Sequence, residues 1–404
     1  MSQTDYISKL LDIEDAIVEN VEQAADLITV SFSLNRRIHR CPVCGTDTDI
    51  IHDYRVQYVK DVPVMGKGLL WRYRKRRYVC PLCGKKFYED LHILPKYHRI
   101  TNRTCFLSYL KLQENVSMKH VSNELNVSQS TVQRWMNMIE YDKPKLLPKV
   151  LSIDEFRGNA DGEKFQCSLV DPIKKQLLDI LPSRKMDYLA HYLKGFSNAH
   201  LVECVVIDMY TPYFEAVRDA LPNAVIVIDR FHVARYSNWA LENVRKRIQK
   251  GLPAEYRKYF KRSRFLLLKR ASNLTSEQSA AVSTMLSFSD DLKLAYYFKE
   301  RFYDFLDSKS RDEAGRKLYN INLLIQTSGL KEYSQLLSVI KNWSTYILNA
   351  FDHPYTNGFT EGTNNRIKVL KRVGYGYRNF DNLRRRILHI DKNKTASLDR
   401  LAFN

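Results

Sequence analysis

Leu151-Ser152-Ile153-Asp154-Glu155 is a short apolar run that ends in acid, and Cys204-Val205-Val206-Ile207-Asp208-Met209 repeats the arrangement further along. A strand buried on both faces reads as a near-continuous Val/Ile/Leu run. An aspartate at its end is costly to bury unless a metal or a partner holds it. Reading outward from these runs, strands are predicted at Val150–Phe156, Lys164–Val170 and Gln176–Ile180, then a helix at Met186–Lys194. A buried strand at Glu203–Asp208, a helix at Tyr213–Ala220 and a strand at Ala224–Ile228 complete the series.

Three strands, a helix, a strand, a helix and a strand is the order of an RNase H-like domain. In that architecture the first and fourth strands are neighbours, which would bring Asp154 and Asp208 together. Glu155, next along the first strand, is expected to face the other way. Residues 232–350 read almost entirely as helix, an insertion placed at about 240–350. Its basic patches, Lys258, Lys261, Arg262, Arg264, Lys269 and Arg270, suit a solvated face or DNA contact equally. Beyond it lies Phe359-Thr360-Glu361-Gly362-Thr363-Asn364-Asn365-Arg366-Ile367-Lys368, read as a helix that Thr360 caps. Asp154, Asp208 and Glu361 together would form an acidic triad able to hold two divalent cations for phosphoryl transfer. Mg²⁺, or Mn²⁺ in its place, suits such oxygen donors. Residues 366–386 carry Arg366, Lys368, Lys371, Arg372, Arg378, Arg384, Arg385 and Arg386 against the single acid Asp381, a cationic track beside the acids.

The charge balance points to the same kind of partner. With 64 Lys and Arg against 45 Asp and Glu in 404 residues, the net charge is +19, which suits a polyanion such as nucleic acid. No apolar run is long enough to span a bilayer, and Met1–Asn20 has no signal-peptide core, so a cytoplasmic protein with no membrane partner is expected, nucleoid-associated when bound to DNA.

Four of the seven cysteines form two CPxCG knuckles, Cys41-Pro42-Val43-Cys44-Gly45 and Cys80-Pro81-Leu82-Cys83-Gly84. Paired thiolates at this spacing, each followed by a glycine for the tight turn, suit one tetrahedral Zn²⁺ held by Cys41, Cys44, Cys80 and Cys83. His39 and His92 flank the knuckles as surface or supporting residues. The intervening segment is long enough for a strand hairpin. Within it lies Trp71-Arg72-Tyr73-Arg74-Lys75-Arg76-Arg77-Tyr78, where period two puts Arg72, Arg74 and Arg76 on one face. Residues 36–105 hold 16 Lys/Arg against 6 Asp/Glu, so that face is read as contacting phosphate.

Residues 1–35 read as a helical pattern followed by an alternating run from Leu27 to Leu34, with no chemistry visible. Residues 96–140 read as a helix-turn-helix with Ser117 and Ser128 as N-caps. Val121, Leu125, Val127, Val132 and Trp135 fall where its helices pack, and the second helix would present Gln129, Ser130, Gln133 and Arg134 to a major groove. Tyr141 to Lys149 reads as a linker. The fold class is therefore multidomain α+β: an N-terminal segment (1–35), a zinc-binding domain (36–95), a helix-turn-helix (96–140) and an RNase H-like α/β catalytic core with a large all-helical insertion (150–404).

With these motifs in place, the chain resembles a bacterial insertion-sequence transposase of the ISL-three family, within the DDE superfamily. The resemblance covers nearly the whole chain and rests on CPVCG, CPLCGKKF, the helix-turn-helix, SIDEF, VVIDMYTPY, VIDRFHVAR and TNGFTEGTNNRIKVLKR. It implies that Asp154, Asp208 and Glu361 bind the catalytic metals, that the knuckles bind zinc, and that the N-terminal region recognises the terminal inverted repeats. Asp229 and His232 of VIDRFHVAR also match; Asp229 is read either as the cap of the following helix or as a support near the metals. The implied partners are double-stranded DNA at the element ends and target, and a second copy of the chain. Two other readings stay open: a sequence-specific regulator in which the acids are scaffold, and a structure-selective nuclease on the same core.

Overall fold

The computed structural model describes Ile13 and residues 15–91, 93–94 and 97–392. His92 lies outside these residues. The chain forms two compact units, one of residues 1–141, 369–377 and 381–404, the other of 142–368 and 378–380.

The first unit is built on a sheet of β1 (Ala16–Gln23), β2 (Leu27–Leu34), β6 (Lys67–Val79) and β5 (Ile51–Val64) in that order, with β7 (Lys86–Tyr88) paired to β6. β3 (His39–Arg40) and β4 (Asp47–Thr48) make a small separate ladder at the first knuckle. Where the sequence suggests a helix before Leu27, Ala16–Gln23 is an edge strand antiparallel to β2. The tight reversal that sets this pairing is closed by Ala24 N–H donating to Leu27 O at 2.8 Å. The N-terminal segment is thus part of the zinc-bearing sheet, because β2 continues it in parallel with β6. The expected hairpin between the knuckles is the long β5–β6 pair, turned at Met65 and Gly66, both at positive φ, as a two-residue hairpin turn requires. Val30, Phe32, Val59, Trp71 and Tyr73 form its buried face.

Asp61, near the end of β5, ties the sheet to the helices: its buried carboxylate accepts from Thr101 Oγ1 at 2.7 Å and Arg103 Nε at 2.8 Å. The helices are α1 (Asn102–Lys111), α2 (Met118–Glu124) and α3 (Gln129–Asn137). Ser117 Oγ accepts from His120 N–H and Ser128 Oγ from Thr131 N–H, so both expected N-caps are present. Leu112, Met118, Val121, Leu125, Val132 and Met136 make the core, with Val127 and Trp135 against it.

The second unit holds a five-stranded sheet in the order β10 (Gln176–Leu181), β9 (Gln166–Asp171), β8 (Val150–Phe156), β11 (Cys204–Ile207), β12 (Val225–Ile228). The β8–β9 and β9–β10 pairs are antiparallel, and β8–β11 and β11–β12 are parallel. The adjacency of the first and fourth strands is therefore present. One sheet face, with Leu151, Ile153, Val205 and Ile207, packs on α4 (Met186–Lys194) and α5 (Thr211–Ala220). Val150, Cys204, Val206 and Val227 of the other face meet Ala350. That residue belongs to α11 (Ser334–Asp352), which closes the run α6 (Arg230–Lys250), α7 (Ala254–Leu268), α8 (Ser276–Leu286), α9 (Asp290–Leu306) and α10 (Arg311–Ser328). These helices share one continuous apolar core with the sheet. Finally α12 (Gly358–Val373) and α13 (Phe380–Lys392) end the described chain.

Candidate active site and zinc knuckle

Period-two alternation along β8 decides which side chains meet. Leu151 and Ile153 go into the core under α4 and α5, so Ser152 and Asp154 go to the opposite face. Ser152 Oγ donates to Asn357 Oδ1 at 2.6 Å and lies 2.6 Å from Thr360 Oγ1. Asp154 Oδ2 accepts from Asn364 Nδ2 at 2.7 Å, and its Oδ1 takes Glu155 N–H. Asn364 in turn accepts from Ser168 Oγ at 3.1 Å. Glu155 turns away, as alternation requires, and pairs with Arg184 at 2.8 Å.

Asp208 follows β11. The pairing of Cys204 with Val150 and of Val206 with Ser152 sets a register that, carried two residues past the ladder, puts Asp208 level with Asp154. Burial first, and then the charge of Asp208, pushes the Asp154 carboxyl up to about 7.

Glu361 comes from the first turn of α12. Its carboxylate joins Asp208 through His232: Nε2 lies 2.9 Å from Glu361 Oε1, and Nδ1 lies 2.7 Å from Asp208 Oδ2, off the line of a regular hydrogen bond. Burial alone would lower the imidazole's pKa. The close contact and charge of Asp208, followed by the hydrogen bond to Glu361, outweigh it and raise His232 to about 9, so the ring is a cation at neutral pH. Asp229 is the helix cap, and its second oxygen holds Asn357. Its Oδ1 caps α6 by accepting from Phe231 N–H, and its Oδ2 accepts from Asn357 N–H at 2.8 Å. Thr360 is no cap: it lies inside α12, fully buried on Ser152.

Asn357 and Asn364 escaped the sequence reading, and Thr360 entered it only as a cap. Their signal was present, since they recur at helical spacing around Glu361 in TNGFTEGTNN, a polar stripe that a surface helix would not bury. Asp154, Asp208 and Glu361 offer the oxygen donors that hard divalent cations take, and the acids are spread about His232 rather than closed on one point.

The knuckles are closed. Among the described residues, Cys41, Cys44, Cys80 and Cys83 alone gather three or more potential ligand atoms within 4.8 Å of one another. Cys41 Sγ lies 3.6 Å from Cys83 Sγ, and Cys44 Sγ 3.4 Å from Cys80 Sγ. Tetrahedral zinc with bonds of about 2.3 Å separates its sulfurs by roughly 3.8 Å, so the cluster fits. In each knuckle the glycine N–H, Gly45 or Gly84, donates to the first cysteine's carbonyl at 3.0 Å, with φ of +74° and +70°. Hydrogen bonding with the Thr46 side chain and backbone lowers the Cys44 thiol to about 6, favouring the ligating thiolate.

The basic residues part company. Arg72 and Arg74 are exposed. Arg76 keeps their phase but is buried, because its stretch of sheet is covered. Its guanidinium donates to Leu34 O at 2.8 Å and Glu89 Oε2 at 3.3 Å. It is an internal ion pair, and the phosphate-facing reading is withdrawn for it. On α3, Gln129, Ser130 and Arg134 are exposed, whereas Gln133 is half-buried, with Nε2 donating to Asn137 Oδ1 and Asn382 Oδ1. Of the expected cationic track, Lys368 and Arg372 are exposed and Arg366 and Lys371 half-buried on α12. Arg386 is fully buried. It donates to the carbonyls of Leu112, Glu114 and Val116, so α13 closes the α1–α2 turn and Arg386 is not free to contact phosphate. His389, one turn on, contacts Tyr109 O at 2.8 Å and Tyr141 Oη at 2.7 Å.

A zinc knuckle, a helix-turn-helix and a carboxylate-bearing α/β unit define a DNA-acting enzyme. The ISL3 DDE family model, described as transposase, matches residues 151–387. A zinc-finger model of the transposases of IS204, IS1001, IS1096 and IS1165 matches 37–83, and the helix-turn-helix model of transposase family ISL3 matches 89–139. The chain belongs to the ISL3 transposase family. It is 28% identical over 384 residues to the transposase for insertion sequence element IS1001 of Bordetella parapertussis, covering 89% of this chain and 91% of that one. To the transposase for insertion sequence element IS1557 of Mycobacterium tuberculosis it is 26% identical over 207 residues, 46% of each chain. Among the described residues no helix is long and apolar enough to cross a membrane.

Proposed function

We propose that this transposase binds the terminal inverted repeats of its own insertion sequence, cuts the element ends and joins them to target DNA, with Asp154, Asp208 and Glu361 as the catalytic carboxylates on an RNase H-like core. The observation that supports the reading is that His232 joins Asp208, which follows β11, to Glu361 of α12, while Asn364 of the same helix holds Asp154 of β8, although more than a hundred residues of helix separate the last strand from Glu361. Divalent cations such as Mg²⁺ bound to the three carboxylates would activate the attacking hydroxyl and stabilise the departing oxygen of an in-line displacement. Asn364 fixes the Asp154 carboxylate, and Asn357, itself held by Asp229, lies 3.4 Å from Asp208 Oδ1. His232 keeps Asp208 and Glu361 turned toward one another and supplies positive charge between them. Water attacks in the first step and the freed 3′-hydroxyl in the second, so no covalent protein–DNA link forms.

End recognition falls to the first unit, with Gln129, Ser130 and Arg134 of α3 reading bases and Arg72 and Arg74 contacting phosphate. Arg366, Lys368, Lys371 and Arg372, on the helix that carries Glu361, draw the scissile backbone toward the acids. Zinc at the four cysteines is structural. Joining two ends calls for at least a dimer in the active complex.

The test is incubation with Mg²⁺ or Mn²⁺ and DNA carrying the repeats that flank the reading frame. End-specific nicking followed by joining supports the reading. Binding without metal-dependent cleavage would instead make the protein a regulator, and cleavage indifferent to end sequence a structure-selective nuclease.

A further inference from the structure

The VIDRFHVAR motif does more than place Asp229 and His232. Phe231 and Trp239 lie on the same helix, α6, yet both rings stay outside the apolar core, 69% and 46% exposed. With Arg235 between them they stand four residues apart, so the three side chains form one row along the helix. The Arg235 guanidinium lies over the Trp239 indole, 5.0 Å from the ring centroid. The row forms one wall of a cleft of about 480 Å³, and Arg270 and Tyr303 stand in the opposite wall, the guanidinium 4.5 Å from the phenol ring centroid. That volume is within the roughly 300–1,000 Å³ of sites that enclose small planar ligands. Phe231 precedes His232, which touches Asp208 and Glu361, so the helix that lines the cleft also reaches the acidic site, from a neighbouring face. Trp239 is seven residues past His232, about 10 Å along the helix at 1.5 Å per residue, or about three base steps of a stacked strand.

We infer that this cleft is a stacking site for unpaired nucleobases of the DNA strand flanking the cleavage position. The inference rests on the reading of Asp154, Asp208 and Glu361 as the cleavage site. Exposed aromatic faces beside arginine planes bind bases through stacking and cation–π attraction, without regard to sequence. Base faces are open to such rings only where the duplex is unpaired. Duplex DNA offers phosphates and groove edges, which cations alone would serve. Arg235 on the rim suits a polyanion, while Arg270 is held by Asp307 and Glu242 also lines the cleft, so stacking on the rings and not net charge is the main attraction.

The experiment uses the full chain with no divalent cation added, so that no cleavage occurs. Two probes carry the element end, one fully paired and one with a few unpaired flanking nucleotides that include 2-aminopurine. The wild type should quench the 2-aminopurine and favour the unpaired probe. Trp239→Ala and Phe231→Ala should each weaken binding of the unpaired probe by about 5- to 100-fold, the range that stacking one base supplies, and relieve the quench. Binding of the paired probe should change by less than about two-fold. Trp239→Phe should retain most of the effect. Tyr319→Ala, at an exposed aromatic on α10, should match the wild type. Equal losses on both probes, an unaltered quench, or a change of sedimentation state in Trp239→Ala, which would mean that a second copy covers the cleft, would each overturn the inference. Failure of the triad itself would appear separately, as cleavage surviving in Glu361→Gln, because the stacking assay involves no chemistry.

Discussion

The two candidate metal sites are built in opposite ways. At the zinc knuckles four identical ligands arrive in two local turns, each fixed by a glycine N–H on the cysteine carbonyl, and their sulfurs already stand at nearly tetrahedral separation. At the acidic site one carboxylate comes from each of two parallel strands and one from a helix far along the chain, and a histidine cation joins two of them. The knuckle is a closed site that holds a fold together. The acidic site is open, with Glu361 about half exposed, as a site must be if DNA is to reach it. Closed geometry suits a resident ion, and open geometry suits ions that arrive with substrate.

The sharpest way to break this contrast is to remove metal from each site. A brief chelator treatment should abolish end cleavage, added Mg²⁺ should restore it fully, and zinc should remain at about one per chain throughout. Asp154→Asn and Asp208→Asn should lower cleavage by roughly four orders of magnitude while leaving end binding intact, and the double variant should be little worse, because members of one catalytic unit are not additive. Cys80→Ser should do the reverse. Elemental analysis should find zinc well below one per chain, with end binding lost through misfolding of the first unit.

A smaller effect sharpens the comparison from inside the DNA-binding unit. Burial, with Arg386 nearby, lowers His389 to about 4, so it is neutral when folded and titrates near 6.5 when unfolded. The stability this lends is complete above pH 6.5 and is lost as pH falls toward 4, on the order of 3 kcal/mol. Protection factors in α1–α3, corrected for the intrinsic pH dependence of exchange, should therefore fall over that window, and His389→Gln should flatten the dependence. The smallest effect concerns base reading. Arg134→Ala should weaken specific end binding by about 1–3 kcal/mol, as seen in titrations against matched and random DNA. An equal loss on random DNA would reassign it to phosphate.

The sequence was most readable where structure is local. CPxCG gave the knuckles, Ser117 and Ser128 gave the caps, and apolar runs gave β8, β11 and β12. Strand alternation also separated Asp154 from Glu155 correctly. It misled at Arg76, because period two gives the face and cannot say that Glu89 and the end of β2 cover it. The N-terminal strand was missed because Ala16–Gln23 is an exposed edge with few apolar residues, defined by its partner more than by its pattern. In the sequence Arg386 reads as part of a cationic track, and His389 draws no reading. Their burial depends on α13 meeting α1 and α2 more than two hundred residues away, a contact that no local spacing encodes.

The account turns on whether the open acidic site does chemistry, and one measurement reaches that directly. Nicking and joining of element-end DNA in Mg²⁺ should be timed for the wild type, Glu361→Gln and Glu155→Gln. The account predicts that Glu361→Gln binds ends normally and neither nicks nor joins them, while Glu155→Gln, whose side chain goes to Arg184 on the other face, retains much of the activity. Cleavage by Glu361→Gln at the wild-type rate, with Glu155→Gln inactive, would contradict it.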